Sequence, residues 1–162
     1  MTVAMRERMA PVFYPSETEL TVRFADVDMM KVVHHSVYIH WFEQIRFTFL
    51  RRVMEIEPRQ LFSARLAFPV IECHAKYRRA VQFEQQVVGY CHVELHPNAL
   101  FTFHYQIFER DGQKSLYATG STVHCYVTNE LELLLKPPEL MRDGFTRTKA
   151  RFPAAIVQSN GI

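Results

Sequence analysis

The 162-residue chain has almost no excess charge: Lys and Arg number 19 against 17 Asp and Glu, a net of +2. So small an imbalance excludes binding to nucleic acid or a membrane surface by overall field, and any anionic ligand has to be caught locally. The chain has only three cysteines, Cys73, Cys91 and Cys125. They are odd in number, sit in strand-like apolar stretches and show no CxxC spacing, which argues against a disulfide framework or a zinc site and for a reducing, cytoplasmic compartment. No stretch approaches the ~18 to 20 uninterrupted apolar residues of a membrane span. Met1 to Glu17, with Arg6, Glu7 and Arg8 near its start, never reaches the apolar run of a signal peptide. A G-x-S-x-G elbow and a glycine-rich phosphate loop are absent as well, which speaks against a serine hydrolase and a P-loop.

What is there is ordinary globular composition, 48% apolar and 22% charged, enriched in aromatics. A chain of this length is expected to form one domain, burying roughly 70% of its unfolded surface. Thr18 to Phe24 alternates polar and apolar residues as a half-buried strand does. Ser36 can cap a helix running to about Glu55, in which Tyr38, Trp41, Phe42, Ile45, Phe49 and Val53 recur at three- and four-residue spacing. Its polar residues, among them His40, Glu43, Gln44 and Arg46, make only a partial face, so the helix needs cover on more than one side. Strands are expected over Phe68 to Tyr77, Phe83 to Leu95, Leu100 to Phe108 and Leu116 to Thr128, with turns at His96-Pro97-Asn98 and Asp111-Gly112 and close packing or a bulge at Gly120. Glu139 to Arg147 reads as a short helix, and residues 1–16 and 148–162 as a peripheral leader and a loosely held tail. The order predicts an α+β domain, one long helix buried against an antiparallel sheet of about five strands.

Asp26 and Asp28 fall between the first strand and the helix start, with Lys31, His34 and His35 close in sequence. A helix N-terminus offers free amides and partial positive charge to polarise a carbonyl, and a carboxylate just before it can attack that carbonyl or deprotonate water. His40 and Glu43 have the spacing of two metal ligands on one helix face, but no third ligand accompanies them, and no metal is expected. Glu43 and Arg46, also three apart, are expected to pair on the helix surface.

The run Val22-Arg23-Phe24-Ala25-Asp26-Val27-Asp28, followed by His35-Ser36-Val37-Tyr38 and Trp41-Phe42-Glu43-Gln44-Ile45-Arg46, resembles the N-terminal signature of 4-hydroxybenzoyl-CoA thioesterases and the Tol-Pal-associated acyl-CoA thioesterases. The likeness continues more weakly to Lys136-Pro137-Pro138, over roughly residues 18 to 140. It implies the hotdog fold and hydrolysis of an acyl-CoA or acyl-carrier-protein thioester to an acid and a free thiol. The family's catalytic carboxylate falls on Asp28, as nucleophile or general base, and the second site residue on His35, acting through its amide, its imidazole or both. Asp26 matches a supporting position. Lys31, His34 and Tyr38 are then candidate substrate-binding residues. No resident cofactor is implied, since CoA or phosphopantetheine arrives with the substrate, and family members form homodimers or homotetramers.

Three departures qualify the likeness. Lys31 stands where the family has Gly, Val37 where it has Asn or Ser, and the turn His96-Pro97-Asn98-Ala99 lacks the basic residues that grip CoA phosphates in the hydroxybenzoyl branch. Lys76, Arg78 and Arg79 form the best alternative basic patch, for CoA phosphates or the acidic surface of an acyl carrier protein. The alternative from another class is a non-catalytic thioester-binding or scaffold module with a lapsed site.

Overall fold

The apolar spacing after Ser36 folds as the long helix α1, His35–Arg52. Its N-cap is His34 rather than Ser36: the His34 ring accepts a hydrogen bond from the Ser36 amide. At the other end Arg51 and Arg52 sit in the last turn, where cations favour the helix dipole. Glu55 takes a φ of 58°, which is incompatible with continuing the helix that far. The computed structural model describes residues 12–110 and 115–159; the Asp111-Gly112 turn lies outside them.

The strands are β1 (Thr18–Leu20), β2 (Leu66–Ala67), β3 (Val70–Tyr77), β4 (Val87–Leu95), β5 (Leu100–Glu109), β6 (Leu116–Thr128), β7 (Leu133–Leu134) and β8 (Ile156–Gln158), with helices α2 (Pro58–Ser63) and α3 (Glu139–Arg151) beside them. The sheet runs β1-β4-β5-β6, with β2, β3 and β7 also on β6 and β8 on β4. Every pairing is antiparallel except β4 with β8. This is the expected α+β arrangement of one long helix on an antiparallel sheet. Among the described residues no helix is long and apolar enough to cross a membrane.

Alternation along β5 sends Phe101, Phe103, Tyr105 and Ile107 to the helix side, where all are buried. Phe108 faces the other way, in a small cluster with Val88 and Tyr90. The Phe42 ring stacks on Tyr105 at 4.5 Å. A Cβ on Gly120 would lie 2.3 Å from that Phe42 ring, and one on Gly89 2.3 Å from Ile45. Close packing, the reading offered for Gly120, is therefore what the position requires.

Several boundaries differ from expectation for visible reasons. β1 stops at Leu20 because Phe24–Asp26 forms a turn of 3-10 helix, braced by the Asp26 carboxylate on Arg23. β4 begins at Val87 because Gln82–Gln85 is a turn with Glu84 at φ 70°. The tail is not loose within its described part: Thr148 is fully buried, α3 continues to Arg151, and β8 adds to β4. The leader is partly docked too, since Phe13 packs on Phe49 and Ser16 is fully buried.

One polar chain runs through this core. Arg46 donates to the Tyr105 hydroxyl at 3.3 Å, Tyr105 and Thr122 are 2.7 Å apart, Thr122 and His124 Nε2 2.8 Å, and His124 Nδ1 lies 3.0 Å from the Phe68 carbonyl. Glu43 and Arg46 therefore do not pair as expected, because Arg46 turns inward. Burial lowers the His124 pKa from 6.5 to about 4, with the Arg46 charge contributing. The unfolded chain thus binds a proton near pH 6.5 that the folded chain refuses until about pH 4, so stability is lost as pH falls through that interval. His92, lowered to about 4 by burial and then by His104, adds a loss of the same sign. Urea denaturation across this interval should show stability falling with acid, and His124→Gln should reduce the loss without abolishing it.

Candidate active site

Between Val27 and Val33, which face each other across an antiparallel bridge, the chain makes a tight turn. The Lys31 amide donates to the Asp28 carbonyl at 2.9 Å, the Asp28 amide to the Val32 carbonyl at 2.9 Å, and the Met30 amide to Asp28 Oδ1 at 2.8 Å. Asp suits the first position because its side chain caps the amide two residues on. Lys31 follows in the left-handed region at φ 62°, where a residue with a Cβ is strained by roughly 1 to 2 kcal/mol. The position at which the resembling family carries Gly is thus one where the backbone itself favours Gly.

The turn is tied to the helix. The His34 amide donates to the Asp26 carbonyl at 2.8 Å and the Val33 amide to the Val81 carbonyl at 2.7 Å. Asp26 is buried and accepts from the Arg23 amide at 2.9 Å and from its guanidinium at 2.8 Å. The Arg23 hydrogen bonds hold that carboxyl below the usual carboxylate range. Asp26 is a brace for the turn, while Asp28 has only its Oδ1 engaged, by the Met30 amide.

At the start of α1 the Ser36 amide is taken by His34 Nδ1 and the Val37 amide by the His34 carbonyl at 3.0 Å. Among the described residues the His35 amide has no partner. His35 itself borders a cavity of about 320 Å³ between the turn, the helix start and the end of β3. Asp28, His35, Tyr38, Tyr77, Arg78 and Arg79 line this cavity. Burial pushes the Tyr38 hydroxyl up to about 12, so it remains a protonated donor at neutral pH.

Five of the eight residues singled out from sequence, Asp28, His35, Tyr38, Arg78 and Arg79, thus share one cavity. Three do not line it. Lys31 is exposed in the turn, His34 is occupied as the helix cap with its ring 4.1 Å from that of His35, and Lys76 points to the strand face opposite Tyr77. Tyr77 was not foreseen: its hydroxyl donates to the His35 carbonyl at 3.1 Å and its ring packs 5.0 Å from Tyr38. The available signal was its place immediately before Arg78. No group of three or more His, Cys, Asp or Glu suited to a metal occurs among the described residues.

A long helix laid on an antiparallel sheet, with a carboxylate turn tied to its start, is the arrangement of the hotdog thioesterases. The family model described as Thioesterase-like superfamily matches residues 22–158, and the chain belongs to that superfamily. It is similar to YneP of Bacillus subtilis, provisionally named an acyl-CoA thioesterase, at 24% identity over 112 residues, covering 67% of this chain and 78% of that one. A hypothetical protein of Thermus thermophilus superposes with a TM-score of 0.71 at 28% identity, over 80% of this chain and 97% of that one. A DHNA-CoA thioesterase of Staphylococcus aureus shares the fold, with a TM-score of 0.70 at 23% identity over 88% and 96% of the two chains.

Lys31→Gly should relieve the left-handed strain and raise stability by about 1 kcal/mol, measured by urea denaturation; an unchanged or lower midpoint would show that the lysine side chain offsets the strain.

Proposed function

We propose that the protein hydrolyses an acyl-CoA thioester to a carboxylic acid and free CoA. The observation that carries the reading is the meeting, in one cavity, of the Asp28 carboxylate with the start of α1 where the His35 amide is open. On this reading the thioester oxygen accepts from the His35 N–H, a contribution of roughly 2.7 to 4 kcal/mol to the transition state. Asp28 as general base takes a proton from water while the water oxygen bonds to the carbonyl carbon. The C–S bond then breaks, and the thiolate leaves and takes up the proton. A thiol of pKa ~8.5 needs little acid assistance. With Asp28 as nucleophile the carboxylate bonds to the carbonyl carbon, the thiolate leaves, and water cleaves the resulting anhydride. Both routes need the same oxygen.

Arg78 and Arg79 at the cavity wall suit the phosphates of CoA, or the acidic face of a carrier protein presenting the same phosphopantetheine arm. The likeness to YneP supports CoA as the carrier, and rates on one acyl group presented by CoA and by carrier protein separate the two. No resident cofactor is required. The reading places the enzyme in the cytoplasm, where Cys73, Cys91 and Cys125 remain free thiols.

Asp28→Asn keeps an oxygen to accept the Met30 amide, so the turn should survive while kcat/KM in a thiol-release assay on an acyl-CoA panel falls at least ~100-fold. Parental rates in that variant would remove Asp28 from the chemistry.

The quaternary reading is a homodimer joined along β3, doubling in some conditions to a tetramer. Among the described residues β3 has β6 as its strand partner on one side only, and Val70, Ile71 and Tyr77 on it are 44%, 50% and 46% exposed. An open strand edge of eight residues, with those three side chains exposed on it, invites pairing with a second copy. Light scattering should give a dimer or tetramer mass, and a monomer at micromolar concentration would contradict the reading.

A further inference from the structure

Tyr38 is 2% exposed, its ring edge-on to Trp41 and to Tyr77, each at 5.0 Å. A phenol buried this far needs a place for its hydroxyl. Among the described residues no acceptor takes that proton, yet the oxygen is not sealed from space: the sealed side-chain atom without a partner is Arg46 Nε. A hydroxyl that is neither covered nor relieved of its proton faces open space, and the space Tyr38 lines is the cavity it shares with Asp28 and His35. The Val81 backbone acts on the phenol in the sense that lowers its pKa, as donation to the phenolic oxygen does, and so leaves the O–H proton available.

The helix aims this hydroxyl at its own start. A side chain on an α-helix leans towards the N-terminus and covers the turn before its own Cα, and one turn before Tyr38 is His35. Tyr77, whose ring meets that of Tyr38, reaches the same turn, because its hydroxyl donates to the His35 carbonyl at 3.1 Å. The neighbouring donors are spent. His34 takes the Ser36 and Val37 amides, Asp28 takes the Met30 amide, and Tyr77 is committed to His35. The start of α1 is left with one unpartnered amide, that of His35, and one phenol.

A carbonyl oxygen that becomes negative has lone pairs for more than one donor. We propose that Tyr38 is a catalytic residue whose hydroxyl gives the thioester oxygen its second hydrogen bond, beside the His35 N–H. The assignment rests on the hydrolysis proposed above. As water or Asp28 adds to the carbonyl carbon, the electron pair of the C=O bond moves onto oxygen and both hydrogen bonds strengthen. When the C–S bond breaks, that pair returns and the thiolate carries the charge away. The proton stays on Tyr38 throughout, and a phenol with a pKa of about 12 holds it across the neutral range. Because the bond gains strength only as charge develops, it acts on the rate rather than on binding of the ground state.

Two measurements test this, the first without turnover. The probe is the ketone analogue of decanoyl-CoA, with CH2 in place of the thioester sulfur, so that no acyl–sulfur bond is present, and with an isotope label at the carbonyl carbon. Its carbon resonance should move downfield on binding to the parent protein, and Tyr38→Phe, checked for fold by circular dichroism and urea midpoint, should lose about half of that movement. The second measurement is steady-state hydrolysis of decanoyl-CoA. In Tyr38→Phe, kcat should fall roughly 100-fold with KM nearly unchanged and the acid limb of the pH profile in place. A resonance that moves equally in parent and variant overturns the proposal, whatever happens to the rate. A parent protein that does not bind the ketone, or binds it with its resonance unmoved, overturns it without need of a variant. A rate loss in which the acid limb shifts to higher pH gives the hydroxyl to Asp28 instead, because a carboxylate deprived of a donor protonates more readily. Absence of hydrolysis in the parent sinks the proposed function alone, since the ketone still reports whether Tyr38 polarises a carbonyl in this cavity.

Discussion

The seating of α1 on two bare patches of the sheet is the contact on which the rest depends. Phe42 occupies the space above Gly120 on β6, and Ile45 the space above Gly89 on β4, leaving no room for a Cβ at either position. Between them β5 supplies Tyr105, stacked on Phe42, and Ile107. A helix held this close over three strands cannot slide along its axis without driving large side chains into backbone. Its N-terminus is therefore fixed relative to the sheet, and the turn before it inherits that placement through the His34–Asp26 and Val33–Val81 backbone bonds. Under the proposed function, donor and carboxylate are then positioned before any substrate arrives, which is what electrostatic catalysis requires.

Two aspartates two residues apart divide the work within that frame. Asp26 faces inward, and Arg23 engages both its oxygens, so it stays ionised and immobile. Asp28 has a looser attachment, a single amide on one oxygen, and lines the cavity. A reacting carboxylate has to be oriented but not saturated with donors, because each further hydrogen bond stabilises the anion and weakens it as base or nucleophile. The left-handed backbone at Lys31 is part of the same arrangement, since the turn that aims Asp28 needs a residue there whatever its side chain.

Strong periodicity made most of the architecture legible. The alternation in β4, β5 and β6 and the three-and-four spacing of α1 each serve a single buried face, and burial is what periodicity reports. The acidic turn at Asp26 and Asp28 was legible from the residues, but the choice of Asp28 as the reacting carboxylate came only through resemblance, because D-x-D before a helix is compatible with a simple cap. Residues that change role at element ends were not legible. His34 looked like a ligand and is a cap; Lys76 belongs with Arg78 and Arg79 by charge, but strand alternation separates it from their cavity. The C-terminal segment looked loose because Ile156–Gln158 is too short to show a period, and a parallel partner in β4 is invisible from its own residues.

Arg46 shows why charge patterning alone misassigns a residue. A surface pair with Glu43 contributes only a few tenths of a kcal/mol, and a guanidinium kept from water without a counter-ion costs several. The inward rotamer is held instead by the Tyr105 hydroxyl, 3.3 Å from a terminal guanidinium nitrogen, and by the Phe47 ring, whose centroid lies 5.9 Å from the guanidinium carbon.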